Sequence, residues 1–338
     1  MRWYRVFTPS VPTDRGRLIF DMGEIEMIES PMDVLSLFPI RKSKQQKEAF
    51  IDAVAEYARN ANYPVTVETE KRRVRNIVIG DPENAKYLIT AHYDTPPSIG
   101  LPNLIAPNNP FIFFGIQLFL VALLMAVAVT VGFCAIWLGA EEKIALLIAY
   151  VLYMGMLLLM LKGPANRHNA NDNTSGVVTA LEIMTALPET RRSEVCFVFF
   201  DLEEAGLVGS KAYRNRHKAA TEIQVVLNMD CVGDGDVIQL TPVNKAKADS
   251  VLTENLSTIC GFVGQKELRL RTKGFYKGNS DHKNFPKGVA IMAFRYKKGI
   301  GLYCGRIHTW RDKILDRENV AILKDKLLEF LSADTNGK

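Results

Sequence analysis

Apolar positions along the chain fall into three patterns. The first has helical spacing. Lys44 to Ala61 puts Phe50, Ile51, Val54, Tyr57 and Ala58 on one face, which predicts an amphipathic helix. Ser175 to Leu187 repeats this with Val177, Val178, Leu181 and Met184, and Glu318 to Leu331 with Val320, Leu323, Leu327 and Phe330. Shorter helices are expected at Pro31 to Phe38 and Ser210 to His217. The second pattern is the short continuous apolar run. Glu194 to Phe200 (EVCFVFF), Gln224 to Met229 (QVVLNM) and Val289 to Phe294 predict strands buried on both faces. Arg75 to Gly80 and Lys86 to His92 read as two further strands around the turn signal Asp81-Pro82-Glu83-Asn84. Strands alternating with helices predict an α/β fold, a mostly parallel mixed sheet with helices on both faces.

The third pattern is long and uncharged. Phe111 to Leu138 is 28 residues without a charge, with Gln117 its most polar side chain. Gly139-Ala140-Glu141-Glu142-Lys143 follows, and then Ile144 to Leu161, another 18 uncharged residues. About 20 apolar residues cross the hydrocarbon core of a bilayer, so the first run spans with tilt and the second just suffices. Buried core helices rarely run so long without charge, which favours a transmembrane helical hairpin. The expected organisation is an N-terminal segment (1–40), a discontinuous domain (41–110 and 162–338) and the hairpin inserted in it (111–161). Lys162 and Arg167 follow the hairpin, whereas its inner loop carries two Glu and one Lys. The positive-inside tendency then places the flanking domain in the cytoplasm of a two-helix, multi-pass protein of the cell membrane, with lipid as its partner. The first 17 residues contain no apolar run, so no signal peptide is expected.

Composition narrows the classes. Hydrophobic residues make up 48% and charged residues 23%, which excludes a disordered chain or a coiled coil. The 42 basic and 37 acidic side chains give +5, too small and scattered an excess for a nucleic-acid partner. Five cysteines stand singly without a CxxC pair, which argues against a disulfide framework and a thiolate zinc site and for a reducing compartment.

The chemistry gathers at strand ends. YLITA runs into His92-Tyr93-Asp94, CFVFF into Asp201-Leu202-Glu203-Glu204, and QVVLNM into Asp230. Ligands of open α/β sheets bind just outside the carboxyl ends of the strands, so these groups converge. Carboxylates so close together raise one another's pKa unless cations compensate, and a divalent metal is the simplest compensation. Imidazole and carboxylate without thiolate suit catalytic zinc, with cobalt or manganese as alternatives. Two such ions, roughly 3.5–4 Å apart, would share a bridging carboxylate. Further ligands could come from Asn171-Asp172-Asn173, His282 or His308, and the residues alone do not choose between the two histidines.

The order of these motifs resembles the co-catalytic zinc exopeptidase family (clan MH) that contains bacterial leucyl aminopeptidases, glutamate carboxypeptidase and glutaminyl cyclase. The family pattern stands here as His92-Tyr93-Asp94, Ala170-Asn171-Asp172-Asn173-Thr174-Ser175-Gly176, Glu203-Glu204, Asn228-Met229-Asp230, Ser280-Asp281-His282 and His308-Thr309, six elements in order over residues 92 to 309. The resemblance implies the zinc aminopeptidase fold and two zinc ions. It implies His92 and Asp230 on one ion, Glu204 and His308 on the other, and Asp172 bridging. Glu203 would be the general base. Asp94 would orient the His92 imidazole, and Asp281 and His282 would lie near the substrate. The implied reaction is hydrolysis of N-terminal residues from peptides with a free amine. Glutaminyl-cyclase-like aminoacyl transfer is an alternative. Those enzymes keep one zinc and lack the full HxD pattern, so His92 argues against it. A non-catalytic membrane scaffold would predict an eroded ligand set, which is not seen.

Three departures stand out. The approach to Asp172 is Arg167-His168-Asn169-Ala170 rather than glycine-rich, and Ile307 precedes the final His, with Trp310 after it. The hairpin falls between His92 and Asp172, where relatives carry a short loop. An active site facing the membrane surface, favouring apolar or membrane-associated peptides, is therefore expected. His168 and His217 are expected to be a loop and a surface-helix residue, Cys231 a small core residue, and Lys71-Arg72-Arg73 a solvated run.

Overall fold

The structure is a computed structural model that describes residues 4–8, 21–25, 27–70, 74–101, 103–276 and 278–333. The Lys71-Arg72-Arg73 run lies outside them. The strands are β1 (Tyr4–Thr8), β2 (Asp21–Ile25), β3 (Val65–Glu70), β4 (Val74–Ile79), β5 (Tyr87–His92), β6 (Val195–Phe200), β7 (Val225–Met229), β8 (Val237–Pro242), β9 (Gly261–Val263), β10 (Lys266–Leu270), β11 (Lys287–Lys297) and β12 (Gly301–Tyr303). The α-helices are α1 (Val34–Leu37), α2 (Lys44–Asn60), α3 (Pro110–Trp137), α4 (Glu142–Lys162), α5 (Ser175–Ala186), α6 (Val208–Arg216), α7 (Lys218–Thr221), α8 (Asn244–Ala248), α9 (Ser250–Thr258) and α10 (Arg317–Ala333).

Strands β3 to β12 form one mixed sheet in the order β3-β4-β6-β5-β7-β11-β8-β10-β9, with β12 beside β11. The central strands β6, β5, β7 and β11 run parallel, as their continuous apolar character predicts. Every residue of β5 and β6 is buried. Alternate side chains serve two cores. Ile89, Phe197, Phe199 and Leu227 join the cluster beneath α2, α5 and α10, whereas Leu88, Cys196, Val198, Phe200 and Val226 meet Tyr213 and Phe285 on the other face. The fold is thus the mixed α/β arrangement expected. The strands not anticipated (β1 to β3, β8 to β10 and β12) are the antiparallel or peripheral ones.

Register positions the chemistry. His92 lies level with Phe200, and Thr90 with Asn228. His92, Asp201 and Asp230 therefore leave the sheet within one residue of the same level.

Between β5 and α5 the chain leaves the sheet as α3 and α4, two antiparallel helices of 28 and 21 residues, mostly exposed and apolar enough to cross a membrane. Leu120, Leu124, Ala128 and Gly132, spaced by four, are the buried residues of α3. A Cβ on Gly132 would lie 3.3 Å from both Ala145 O and Ala149 Cβ, so the crossing depends on small residues. At the base of the hairpin the entering and leaving chains are tied. Ser98 N donates to Pro164 O (2.8 Å), Asn166 N to Pro96 O (2.8 Å), and Ile99 N to His308 O (2.7 Å).

His217 differs from expectation. It is buried at the junction of α6 and α7, with Nε2 2.7 Å from Glu68 Oε1 and Nδ1 2.5 Å from Glu83 Oε1. The missing signal was the partner pair, which comes from β3 and the β4–β5 turn. Burial alone would lower its pKa, but the two carboxylates outweigh burial and raise it. The imidazolium therefore stabilises the fold below the unfolded value of about 6.5, and that contribution is lost as pH rises through the folded value. Replacing His217 with Gln is expected to lower the melting temperature of the detergent-solubilised protein at pH 6, a loss of about 1 kcal/mol. The gap from wild type should shrink as pH rises to 9, and thermal melts across that range check it.

Candidate active site

The site is assembled by three strand ends, the turn before α5 and the loop after β12. The Ala170–Thr174 turn carries Asp172, joined to Asn173 by a cis peptide bond. Its polar neighbours are fasteners. Asn171 Oδ1 accepts from Gly233 N (2.7 Å), and Asn173 Oδ1 from Cys231 N (3.2 Å), while Asn173 Nδ2 donates to Met229 O (3.0 Å). A Cβ on Gly176 would lie 2.5 Å from both Asn173 Oδ1 and Met229 O, so glycine is required. The stretch from Asn171 to Gly176 thus fixes one carboxylate against the end of β7.

Asp312 completes the hold. Its two oxygens accept the backbone N–H groups of Asn171 (2.7 Å) and Asp172 (3.0 Å). Asp94 does the same for the next loop, accepting from Glu203 N (3.0 Å) and Glu204 N (3.2 Å) while its Oδ1 lies 3.4 Å from His92 Nδ1. Asp94 was expected to orient His92, and it also sets the Glu203-Glu204 backbone. Asp201 turns away from the site and pairs with Lys47, both side chains buried.

The working groups meet around Asp172. Its Oδ1 lies 3.3 Å from His92 Nε2, which is itself 3.9 Å from Asp230 Oδ1. Its Oδ2 lies 3.0 Å from His308 Nε2, which is 3.5 Å from Glu204 Oε1. The two oxygens of one carboxylate thus face two different imidazole–carboxylate pairs. One donor atom each from His92, Asp172 and Glu204 lies within 4.8 Å of the others. His308 reaches this position from a left-handed backbone conformation (φ 59°).

The electrostatics ask for cations. Burial raises the Glu203, Glu204 and Asp230 carboxyls, and neighbouring carboxylates raise them further: Glu204 and Asp230 act on Glu203, and Asp172 acts on Glu204 and Asp230. Burial would lower the His92 imidazole, but Glu203, Asp172 and Asp94 raise it well above its usual value. Burial would raise Asp172, but His308 and His92 hold it below the usual range. Too few positive groups face this many carboxylates, and nitrogen and oxygen donors at these separations fit a divalent metal centre.

His92, Asp172, Glu203, Glu204, Asp230 and His308 all line one cavity of about 430 Å³. Asp281 and His282 do not. Both are fully buried behind that wall, to which the same segment contributes Asn279 instead. The Ser280 region packs under β7, with Asn228 Nδ2 donating to Ser280 Oγ (3.0 Å). Burial pushes the Asp281 carboxyl up to about 7. Cys231, expected in the core, is buried against Met292, Phe294 and Ile307 and also lines the cavity.

Arg41 was missed. It is fully buried, with donors to Tyr93 O (2.5 Å), Phe38 O (2.7 Å) and Thr174 Oγ1 (3.1 Å). Burial lowers its pKa to about 10 although Asp94 and Asp172 pull it up. Asp312 was missed as well. Neither stands in a local pattern, since each acts through a partner more than 50 residues away. Phe113 and Gln117 of α3 also line the cavity, which the hairpin's uniform composition did not announce.

Residues 156–329, just over half of the chain, match peptidase family M28. No curated protein matches in sequence. Among solved structures, the chain is similar to a Zn-dependent exopeptidase from Parabacteroides distasonis, with a TM-score of 0.55 and 15% identity over 91% of this chain and 99% of that one. It is similar to the glutaminyl cyclase of Tannerella forsythia, with a TM-score of 0.55 and 16% identity over 92% and 98%. The glutaminyl cyclase of Macrostomum lignano gives 0.53 and 13% over 94% and 96%. At these identities the likeness is one of fold.

Removing the Asp312 clamp should loosen Asp172 without touching a donor atom. Asp312→Ala is expected to weaken zinc binding about 10- to 100-fold, as loss of a group that orients a ligand does, while the circular dichroism spectrum is retained. Competition against a chromogenic chelator measures it.

Proposed function

The chain belongs to peptidase family M28, and on that premise we propose that it is a membrane-anchored aminopeptidase working with two zinc ions. The observation that carries this reading is the placement of Asp172, with one oxygen toward His92 and Asp230 and the other toward His308 and Glu204. That arrangement suits two ions sharing one bridging carboxylate. His92 and Asp230 would hold one, Glu204 and His308 the other. When bound, zinc brings the pKa of water down toward about 7 and polarises the scissile carbonyl.

The chain's own residues account for the remaining steps. Glu203 lies in the same cavity, and burial raises its carboxyl, which suits a group that must accept a proton and give it up again. It takes the proton of the attacking water and passes it to the leaving amine. Asp94 holds the Glu203 backbone and so fixes that carboxyl against the scissile bond. Retention of His92 and Asp230 beside Asp172 favours hydrolysis over the cyclase alternative, since a single ion held by Asp172, Glu204 and His308 would give those two residues no task.

The two apolar helices favour anchoring in the membrane. Lys162 at the end of α4, and Lys42, whose Nζ donates to Gly163 O (2.6 Å), put two cations at the base of the hairpin, with Arg167 shortly after in the chain, while the distal turn carries Glu141, Glu142 and a single Lys143. This favours a cytoplasmic active site.

Hydrolysis of aminoacyl-p-nitroanilides by the detergent-purified protein should vanish with chelator and return with zinc. Glu203→Ala should lose about 10²- to 10⁴-fold in rate with zinc content unchanged. Cleavage unaffected by the chelator, or by this substitution, would overturn the reading. In sealed inside-out vesicles, Glu141→Cys should resist a membrane-impermeant thiol reagent until the vesicles are opened, and labelling of closed vesicles would reverse the topology.

A further inference from the structure

The two helices of the hairpin differ in length by seven residues. At 1.5 Å per residue, α4 is roughly 32 Å long, close to the ~30 Å hydrocarbon core, whereas α3 is roughly 42 Å. Gly132 faces Ala145 and Ala149. Equal steps from that crossing bring Lys162, the end of α4, level with about residue 117 of α3. Residues 110–116 therefore project beyond the paired part of the hairpin, toward the sheet.

These two turns are fixed to the enzyme. Asn109 caps α3, with Oδ1 accepting from Ile112 N (3.0 Å), and its Nδ2 donates to Ile300 O (3.5 Å). The chain before it is pinned where Ile105 and Cys304 exchange backbone hydrogen bonds (2.8 and 2.9 Å). The Phe113 ring meets Phe275 and Tyr276 at 5.6 and 5.5 Å between centroids. Phe113 and Gln117, one turn apart on the same face, both line the cavity that holds His92, Asp172 and His308. Gln117 is the most polar side chain of the whole apolar run, and it stands at this cavity among polar and charged side chains, where a polar group of an apolar helix is least costly. Ile105, Tyr276, Met292 and Ile307 complete an apolar lining around Phe113.

We propose that the overhanging turns of α3 form the side-chain pocket of the substrate cavity, with Phe113 as its apolar wall and Gln117 at its rim, so that the membrane helix itself selects peptides with an apolar N-terminal residue. The proposal rests on the aminopeptidase reading for its substrate class. Its geometry stands on the cavity alone. No charged side chain of α3 is available to pair with a cationic or anionic N-terminal residue, so substrates beginning with Lys or Glu are disfavoured. A residue ending in Cβ reaches too short a distance to use the wall.

The test uses zinc-loaded, full-length protein in detergent, with Leu, Met, Ala, Lys and Glu p-nitroanilides and with leucine, alanine and lysine hydroxamates as binding probes read by calorimetry. Wild type should favour Leu and Met over Lys and Glu. Phe113→Ala should lower kcat/KM for the Leu substrate about 10- to 100-fold, the range for lost apolar contacts in a pocket, and leave the Ala substrate within about twofold. Gln117→Glu changes one atom of the rim and should raise the Lys-to-Leu ratio at least about tenfold, which keeps the proposal testable if the Phe113 variant does not fold. Hydroxamate affinities should move in the same directions. Glu203-dependent hydrolysis with one side-chain preference in wild type and both variants would overturn the pocket and leave the aminopeptidase standing. No hydrolysis by wild type, but a preference for leucine over lysine hydroxamate that Phe113→Ala removes, would support the pocket and overturn the aminopeptidase. Equal affinity of wild type for all three hydroxamates would overturn the pocket.

Discussion

Carboxylate charge taken out of water is the constraint to which the rest of this molecule answers. An unpaired buried carboxylate is costly enough that each must find a donor or a cation. The structure divides them into two sets by the donor each finds. Asp94 and Asp312 each accept two backbone N–H groups, and Asp201 takes Lys47, Leu202 N and Arg75 N. These are the residues that hold loops in place. Asp172, Glu204 and Asp230 instead turn oxygens toward imidazole nitrogens. Their charge is left for a guest to neutralise. Arg41, buried among Phe38, Tyr93 and Thr174, offsets part of the field from outside the donor set, so that the cluster survives folding while still favouring a divalent ion.

The same economy of position links the hairpin to the chemistry. The chain entering α3 and the chain leaving α4 are bonded to each other, and Ile99 N is bonded to His308 O. On the leaving side, Asn166 Nδ2 donates to Thr309 O (3.0 Å) and Asn169 Nδ2 to Thr95 Oγ1 (3.1 Å). A displacement of the helices relative to the sheet would therefore strain both the His308 loop and the approach to Asp172. The helices are held as part of the site, which is what lets Phe113 and Gln117 line the cavity at all.

How much of this the sequence disclosed follows from the range over which each feature is encoded. The runs EVCFVFF and QVVLNM announce their strands because burial on both faces leaves little room for polar side chains, and the ordered motifs announce the polar cluster because His92, Glu203, Glu204 and Asp230 stand at or just beyond the ends of such strands. The hairpin is equally plain, since 28 consecutive uncharged residues exceed what the core helix of a soluble domain needs and are more than enough in length to cross a bilayer. What stays hidden is pairing at a distance. Asp312 acts on Asn171 and Asp172, about 140 residues before it, and His217 is buried by Glu68 and Glu83. The burial of Asp281 and His282 is hidden too, because a polar pair in such a motif reads the same in sequence whether it faces a cavity or underpins the strand behind it. The overhang of α3 is hidden for another reason. Two apolar lengths can be counted in sequence, but only the crossing at Gly132 fixes how they are offset.

The place of the insertion also follows from topology. In a parallel sheet the chain leaves the carboxyl end of one strand and returns through a helix that packs on the sheet, here from β5 to α5 and then to β6. The first half of that crossover, from His92 to Asp172, necessarily passes the edge where the donors gather. Anything inserted there arrives beside the site. An insertion in the second half, between α5 and β6, would have emerged at the opposite edge of the sheet and put any membrane about a strand's length from the donors. The hairpin occupies the half that brings α3 to the edge where the donors gather. Its longer helix exceeds the shorter one by about two turns, and Phe113 and Gln117 of the longer one line the cavity. The difference in helix length and the point of insertion are independent features of the chain, and both bring the base of the hairpin to the same edge of the same sheet.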